Sequence, residues 1–230
     1  MSFKNLVPVI TIDGPSGVGK SSVCKVISKK LQWNVLESGW IYRVLAFIIF
    51  KNNVCFSSRN LNILFKNINL HDFIQRINFK NYVISQSLFT NISQEYIGNL
   101  ASRLACIPYI RHFLLFQQRS FRKFPGLIAN GRDMGTVVFP DAIIKFFLIS
   151  DFKTRVARRC LEYEKKGINS CNYKKIFYDM KTRDQRDHNR KISPLIPAKN
   201  AILIDSTYMS LKQVSNVLLS YILKMQKFKL

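Results

Sequence analysis

Three glycines lie within six residues near the start of the chain, in the run IDGPSGVGKSS at residues 12–22. Glycines let backbone N–H groups turn inward around an anion, and a helix that starts there adds its positive dipole end. The segment from Gly14 to Ser21 matches the pattern GxxxxGK[ST] in full. The run therefore predicts a loop that holds the polyphosphate of a nucleotide, with a plain turn as the alternative.

This loop, a P-loop, assigns chemistry to particular side chains. Lys20 can bridge the β- and γ-phosphates, and the hydroxyl of Ser21 can reach Mg²⁺. The predicted nucleotide-binding residues are Gly14, Pro15, Ser16, Gly17, Val18, Gly19, Lys20, Ser21 and Ser22.

The loop needs a strand before it and a helix after it, and the surrounding pattern supplies both. Five short apolar runs predict strands at 7–13, 33–37, 126–130, 143–150 and 200–206. Such continuous runs are typical of parallel strands covered on both faces. Helical patterns lie between most of them, at 19–31, 40–51, 95–123, 151–165, 172–188 and 210–225. This alternation predicts an α/β fold, a doubly wound five-stranded parallel sheet with helices on both faces.

The P-loop alone does not name an acceptor, because GTPases, motor ATPases and small-molecule kinases all use it. The NKxD signature of GTPases is absent from the sequence. A motor ATPase should have an apolar strand that ends in paired acids, whereas FFLISD at 146–151 ends in one acid and leads into an arginine-rich helix. A kinase for a small molecule is favoured.

Three further stretches narrow the choice: LESGWIYR at 36–43, GLIANGRDMGTVVFPDA at 126–142 and RDQRDHNR at 183–190. Together with VITIDGPSGVGKSS, they resemble the bacterial cytidylate kinases, a P-loop nucleoside monophosphate kinase family. The resemblance runs from about residue 7 to 210 and is weakest across 52–94. It implies transfer of the γ-phosphoryl group of ATP to CMP or dCMP with Mg²⁺.

The resemblance implies a role for each matching residue. The serine and arginine of ESGWIYR bind the monophosphate, and two residues of ASRLACIPYIR help to recognise cytosine. GRD supplies a phosphate-binding arginine and a base-contacting aspartate, and the RDQRDHNR stretch holds the sugar and phosphate. In chain order the expected acceptor-binding residues are Ser38, Arg43, Ser102, Arg111, Arg132, Asp133, Arg183, Asp187 and Arg190. The expected catalytic cations are Lys20, Arg132, Arg190 and a lid arginine that faces ATP, Arg158 or Arg159.

The same resemblance predicts three parts of the chain. A core P-loop domain comprises 1–51, 95–150 and 171–230, and a nucleoside-monophosphate-binding insert comprises 52–94. Residues 151–170 form a lid that closes over ATP. Outside the matched motifs, basic residues are predicted to be solvated surface charges, among them Arg155, Lys165 and Lys166.

Four departures from the family pattern surround the predicted acceptor site. Glu37 stands where the family has aspartate, Trp40 where it has a small residue, and Asn130 where it has aspartate before GRD. The stretch NISQEY at 91–96 lacks a family arginine. None of these lies in the P-loop or among the predicted arginines, so activity is expected.

The charge of the chain leaves one alternative class open. Its 230 residues carry a formal net charge of +23, a field that attracts polyanions. Compositional drift with an anionic small-molecule site is one interpretation, and a nucleic-acid-binding protein with a vestigial P-loop is the other. A kinase for another acceptor, such as UMP or a small metabolite, is a third. No nucleic-acid-binding motif, membrane span or secretory signal stands out in the sequence. The five scattered cysteines indicate reduced thiols, so we expect a cytoplasmic protein. We also expect it to be a monomer.

Overall fold

The computed structural model describes residues 6–53, 95–165 and 172–227. Within these ranges the strands are β1 (Val9–Asp13), β2 (Asn34–Glu37), β3 (Leu127–Gly131), β4 (Ile144–Ile149) and β5 (Ile202–Asp205). The α-helices are α1 (Lys20–Leu31), α2 (Ser38–Lys51), α3 (Glu95–Leu104), α4 (Pro108–Arg119), α5 (Phe152–Lys165), α6 (Tyr173–Asn189) and α7 (Leu211–Lys227). A π-helical turn, Met134–Val138, follows β3.

The five strands form one parallel sheet in the order β2-β3-β1-β4-β5, which confirms the predicted fold class. β1 is central, and all five of its residues are buried. The register sets Asp13 beside Gly131 of β3, and Glu37 beside Asn130. The carboxyl ends of these strands therefore meet at one edge, where open α/β sheets bind ligands.

The main core forms where helices α1 and α7 pack with the sheet. The buried residues of α1 are Lys20, Val23, Cys24 and Ile27, a helical spacing that turns one face inward. These apolar side chains meet Ile10 and Ile12 of β1 and the apolar face of α7. Burying this surface holds the first turn of α1, and with it the P-loop, against the sheet.

A second, smaller cluster lies between α5 and α6. Its buried members are Val156, Cys160, Tyr163, Ile176 and Met180, and the partly buried Phe152 and Phe177 pack against it. Through this cluster, α5, which is the first part of the predicted lid, packs against α6, the helix that carries RDQRDHNR.

The chain divides into two compact units. The sheet unit comprises 1–37 and 119–230, and the second unit comprises 38–118. Within the second unit, α2 packs against α3. The predicted insert, 52–94, falls inside the second unit, but 54–94 lie outside the described residues, and so do residues 166–170 of the predicted lid.

One predicted helix is wrong. The pattern at 95–123 is two helices, α3 and α4, that are separated at Pro108. Proline lacks a backbone N–H and disfavours a helical residue before it, so it ends one helix and occupies the first position of the next.

In the described parts of the chain, no helix has the length and apolarity needed to cross a membrane.

Candidate active site

The P-loop occupies residues 14–19, between the end of β1 and the start of α1. Gly14 has φ +148°, and a Cβ on it would lie 2.3 Å from the carbonyl oxygen of Leu148 in β4. Only glycine fits that conformation in that space. The loop therefore packs directly against β4. The chain then enters α1 at its N-terminus, which is the positive end of the helix dipole.

Lys20 folds back over the loop. Its Nζ donates to the carbonyl oxygens of Gly14 at 2.8 Å and Pro15 at 2.7 Å. Burial lowers the pKa of Lys20 well below its usual value, and the positive charges of Arg132 and Arg183 lower it further. An anion at this position would relieve that repulsion, so the surroundings of the ammonium favour a phosphate.

Ser21 and Glu37 together offer oxygen atoms beside the loop. Burial raises the pKa of Glu37, while Lys25 and a hydrogen bond with the Ser21 side chain oppose the rise. Hydroxyl and carboxylate oxygens suit Mg²⁺, which uses few protein ligands when phosphates supply others. The described residues hold no group of three or more His, Cys, Asp or Glu side chains that could bind a metal unaided. The donor set fits a metal ion that arrives with a nucleotide.

A buried aspartate gathers three of the predicted arginines. Arg132 Nε donates to Asp187 Oδ2 at 2.9 Å. Burial alone would raise the pKa of Asp187, but the charges of Arg132, Arg183 and Arg190 hold it below its usual value. Arg190 is itself buried, and its Nε donates to the carbonyl oxygen of Ser193 at 2.6 Å. Two of these arginines, Arg132 and Arg183, also act electrostatically on the P-loop lysine.

Asp13 was not singled out by the sequence, yet it fixes the turn that carries Asp133. Its two carboxylate oxygens accept the backbone N–H groups of Met134 at 2.9 Å and Gly135 at 2.8 Å. Burial raises the pKa of Asp13 from 3.8 to about 6, although the hydrogen bonds from the two amides lower it. The charge of Asp133 adds to the rise, and the charge of Lys20 opposes it. The carbonyl of Asp133 in turn accepts from Val137 and Val138, which closes the π-helical turn. The sequence signal that could have identified Asp13 is an acidic residue at the end of an otherwise apolar strand.

The two candidate lid arginines lie on α5 in different surroundings. Arg158 donates to the carbonyl oxygens of Ser206 at 2.6 Å and Met209 at 3.2 Å, in the loop after β5. Arg159 pairs with Glu162 at 2.8 Å and lies over the ring of Tyr163. Their predicted contact with ATP stays a prediction.

Arg155 corrects the sequence interpretation. It was predicted to be a solvated surface charge, but it is buried in an ion pair with Asp184. Lys165 is exposed as predicted, and Lys166 lies outside the described residues.

The second unit holds the other four predicted residues. Ser38 accepts a hydrogen bond from Gln118 Nε2 at 2.8 Å. Arg43 lies so close to α3 that a Cβ on Gly98 would come within 2.4 Å of its Nη2. Ser102 is buried one turn further along that helix. Arg111 is buried as well, donates to the carbonyl oxygen of Ala105 at 3.0 Å and lies 5.9 Å from the centre of the Tyr42 ring.

Comparison with known proteins identifies the family of this chain. A sequence model of the cytidylate kinase family matches residues 10–224. The chain is 44% identical over 215 residues to a cytidylate kinase of Erwinia tasmaniensis, covering 93% of this chain and 94% of that protein. It is 43% identical to a cytidylate kinase of Yersinia enterocolitica, covering 93% of each chain. It is 43% identical to a cytidylate kinase of Proteus mirabilis, covering 94% of this chain and 96% of that protein. The chain belongs to the cytidylate kinase family.

Proposed function

We propose that this protein transfers the γ-phosphoryl group of ATP to CMP or dCMP, giving ADP with CDP or dCDP. The observation that carries the proposal is the surroundings of Lys20. The lysine lies in a P-loop and shares its electrostatic environment with Arg132 and Arg183, which also surround Asp187. Family membership makes the acceptor a cytidine nucleotide.

The donor side is the P-loop. Its backbone amides and the start of α1 hold the phosphates of ATP, and the Lys20 ammonium moves from the carbonyls of Gly14 and Pro15 to the β- and γ-phosphates. The lowered pKa of free Lys20 returns toward its usual value when phosphate arrives. The bound γ-phosphoryl is thereby held next to a full positive charge.

Ser21 and Glu37 would hold Mg²⁺ together with the phosphates of ATP. The ion would neutralise negative charge on the phosphates of ATP. The exposed hydroxyl of Ser21 is the expected direct ligand, and Glu37 orients it through their hydrogen bond.

The acceptor side combines arginines with one base-reading carboxylate. Three arginines around Asp187 leave a surplus of two positive charges, three minus one, for the phosphate of CMP. In the second unit, Ser38 and Arg43 are the proposed monophosphate-binding residues, and Ser102 and Arg111 help to recognise cytosine. Asp133 accepts a hydrogen bond from the base amino group.

Transfer itself needs little covalent help from the protein. The metaphosphate-like transition state spreads negative charge over its equatorial oxygens, and catalysis rests on alignment and charge stabilisation. Lys20, Arg132 and Arg190 supply positive charge around the transferring group, and Arg158 or Arg159 adds to it from the ATP side. A closed lid, residues 151–170, would exclude water that competes with CMP.

The setting of the reaction is part of the proposal. We expect a cytoplasmic monomer with no dedicated nucleic-acid or membrane partner, in which the bulk positive charge is not a functional device.

A coupled assay with purified protein tests this function. CMP, dCMP, UMP and AMP are supplied in turn with ATP and Mg²⁺, and ADP release is followed with and without EDTA. CMP and dCMP should be turned over far better than UMP or AMP, and EDTA should stop the reaction. A better rate with UMP would reassign the acceptor. Salt-dependent DNA or RNA binding without nucleotide turnover would favour a nucleic-acid-binding protein.

A further inference from the structure

Both backbone polar groups of Ser16, at the crest of the P-loop, are engaged by one pair of side chains. Arg155 Nη1 donates to the carbonyl oxygen of Ser16 at 2.9 Å. The Ser16 N–H points at Asp184 Oδ1 at 3.5 Å, and the other oxygen of Asp184 pairs with Arg155. Helices α5 and α6 thus reach the loop through two opposite charges that also hold each other.

The residue after Ser16 is packed against the same helices. Gly17 has φ +74°, and a Cβ on it would lie 2.9 Å from both the Arg155 carbonyl oxygen and Met180 Cε. The crest therefore has no free space on this side. A shift of α5 or α6 must be transmitted to the loop, because packed contacts resist deformation.

The ion pair itself is rigidly supported. The side chains of Arg155 and Asp184 are only 8% and 13% exposed. The guanidinium lies 5.0 Å from the centre of the Phe152 ring and also donates to the carbonyl of Ser150. Phe152 makes an edge-to-face contact with Phe177 of α6, with ring centres 4.9 Å apart. Salt and solvent screen such a pair much less than a surface pair.

Asp184 is one residue after Arg183 and one helical turn before Asp187, both of which we assign to the acceptor. The same helix therefore holds the donor loop and the acceptor-binding side chains. We propose that Arg155 and Asp184 form a positioning pair. The pair holds the P-loop backbone at Ser16 in a fixed position relative to α6, and so aligns the ATP phosphates for transfer. This inference rests on the proposed function.

The pair acts through the loop, because its two contacts there are both with the backbone of Ser16, one of the predicted nucleotide-binding residues. Misplacing reacting groups by about 1 Å can cost on the order of a hundredfold in rate. A purely structural ion pair would instead change the melting temperature and leave the folded enzyme's affinity for nucleotide intact. These two outcomes separate a positioning role from a structural one.

The test replaces Asp184→Asn and Arg155→Met, singly and together, in the full-length protein. Binding of the non-hydrolysable analogue AMP-PNP with Mg²⁺ is measured by calorimetry without acceptor, and kcat and both KM values are measured with CMP. Asp184→Asn should weaken AMP-PNP binding and lower kcat by at least about tenfold each, with KM for CMP within about threefold. The double variant should lose no more AMP-PNP affinity than the worse single variant, since partners in one pair are not additive.

A second ion pair of the sheet unit is the matched control. Arg122 and Asp141 pair at 2.6 Å with side chains 17% and 37% exposed, and Arg122 also donates to a backbone carbonyl. Arg122→Met and Asp141→Asn should leave AMP-PNP affinity and kcat within about twofold of wild type, because exposed pairs contribute little.

Three outcomes decide the matter. If folded Asp184→Asn keeps AMP-PNP affinity and kcat within about twofold, the positioning role is overturned while the kinase assignment stands. If wild type binds AMP-PNP but phosphorylates no cytidine nucleotide, the proposed function fails and the binding measurement still tests the pair. If Asp184→Asn does not fold, Arg155→Lys decides, because lysine keeps the charge but lacks the fork that joins Ser16 to Asp184. A loss of at least about fivefold in AMP-PNP affinity supports the pair, and a smaller loss overturns it.

Discussion

Arg132 and Asp187 form a buried ion pair, with Arg132 Nε 2.9 Å from Asp187 Oδ2. The two residues are 55 positions apart, one at the end of β3 and the other near the end of α6. Their side chains are 16% and 4% exposed. The carboxylate therefore orients one arginine of the predicted phosphate site and balances part of the charge of the other two.

Replacing Asp187 with asparagine should destabilise the fold and weaken the acceptor site. Removing one partner of a buried pair leaves an uncompensated charge and costs about 3 kcal/mol or more. Urea unfolding at pH 7 measures this cost, and KM for CMP should rise by at least about tenfold while KM for ATP stays within about threefold. The pKa of Asp187 is depressed in the folded state, so its stabilising contribution is present above about pH 4 and is lost as pH falls further.

Asp141→Asn is the control for this variant, because Asp141 is the more exposed partner of Arg122. Its loss should cost less than about 1 kcal/mol. Equal costs for the two aspartates would contradict the view that burial makes the Arg132–Asp187 pair special.

Lys20→Met should separate activity from stability. The ammonium is buried in a site that lowers its pKa, so its replacement by an apolar chain of similar length should raise the melting temperature. Turnover should fall by at least about a hundredfold, near 3 kcal/mol, because the mobile cation of the loop is lost. Lys30→Met, at the exposed end of the same helix, should leave kcat/KM for CMP within about threefold because solvent screens that charge. Turnover within about threefold of wild type in Lys20→Met would mean that the loop is not the ATP site.

Asp13 should make stability depend on pH in the direction opposite to Asp187. Its pKa is raised to about 6 when folded and is ordinary when unfolded. Between about pH 4 and pH 6 the folded state binds more protons, so wild type loses stability as pH rises through this window. Relative to Asp13→Asn, wild type should lose up to about 3 kcal/mol between pH 4 and pH 6.5. Urea unfolding of both proteins at intervals across this range measures the difference, and a constant difference would show that Asp13 does not titrate there.

Gly98→Ala should disturb the acceptor site without harming the fold. The new Cβ would meet the guanidinium of Arg43, which is the far end of a flexible side chain and can move away. Alanine also favours a helix, so the melting temperature should not fall. If Arg43 binds the monophosphate, KM for CMP should rise by at least about fivefold while KM for ATP is unchanged.

Gly39→Ala is the matched control, because a Cβ on Gly39 meets nothing within 4 Å. Its kinetic constants should stay within about twofold of wild type. A response of Gly98→Ala no larger than that of Gly39→Ala would argue against a phosphate-binding role for Arg43.

The sequence predicted the elements better than the side-chain partners. Apolar runs and the glycine-rich turn placed all five strands and the P-loop, because both signals are local. Pro108 was a local signal too, but the apolar pattern on either side of it concealed the break. The contact between Ser16 and Asp184 spans 168 positions, and nothing in the spacing of either residue indicates it. The same holds for Asp13 and the amides of Met134 and Gly135, since backbone donors leave no mark in a sequence.

We predict that base choice depends on Asp133. The residue is buried directly after Arg132, at the edge of the sheet where the P-loop also lies. An ionised carboxylate there can only accept hydrogen bonds, and CMP offers an amino donor where UMP offers an acceptor oxygen. Two facing acceptors would leave both groups unpaired, which costs about 1–3 kcal/mol or more.

Asp133→Asn can turn its amide to donate, so the ratio of kcat/KM for CMP to that for UMP should fall by at least about tenfold. If Asp133 has only a structural role, such as bracing Arg132, both substrates should lose activity in proportion and the ratio should hold. Asp141→Asn, measured alongside, should change neither value by more than about twofold, because it lies on the surface. The ratio, more than either rate, distinguishes a carboxylate that contacts the base from one that has only a structural role.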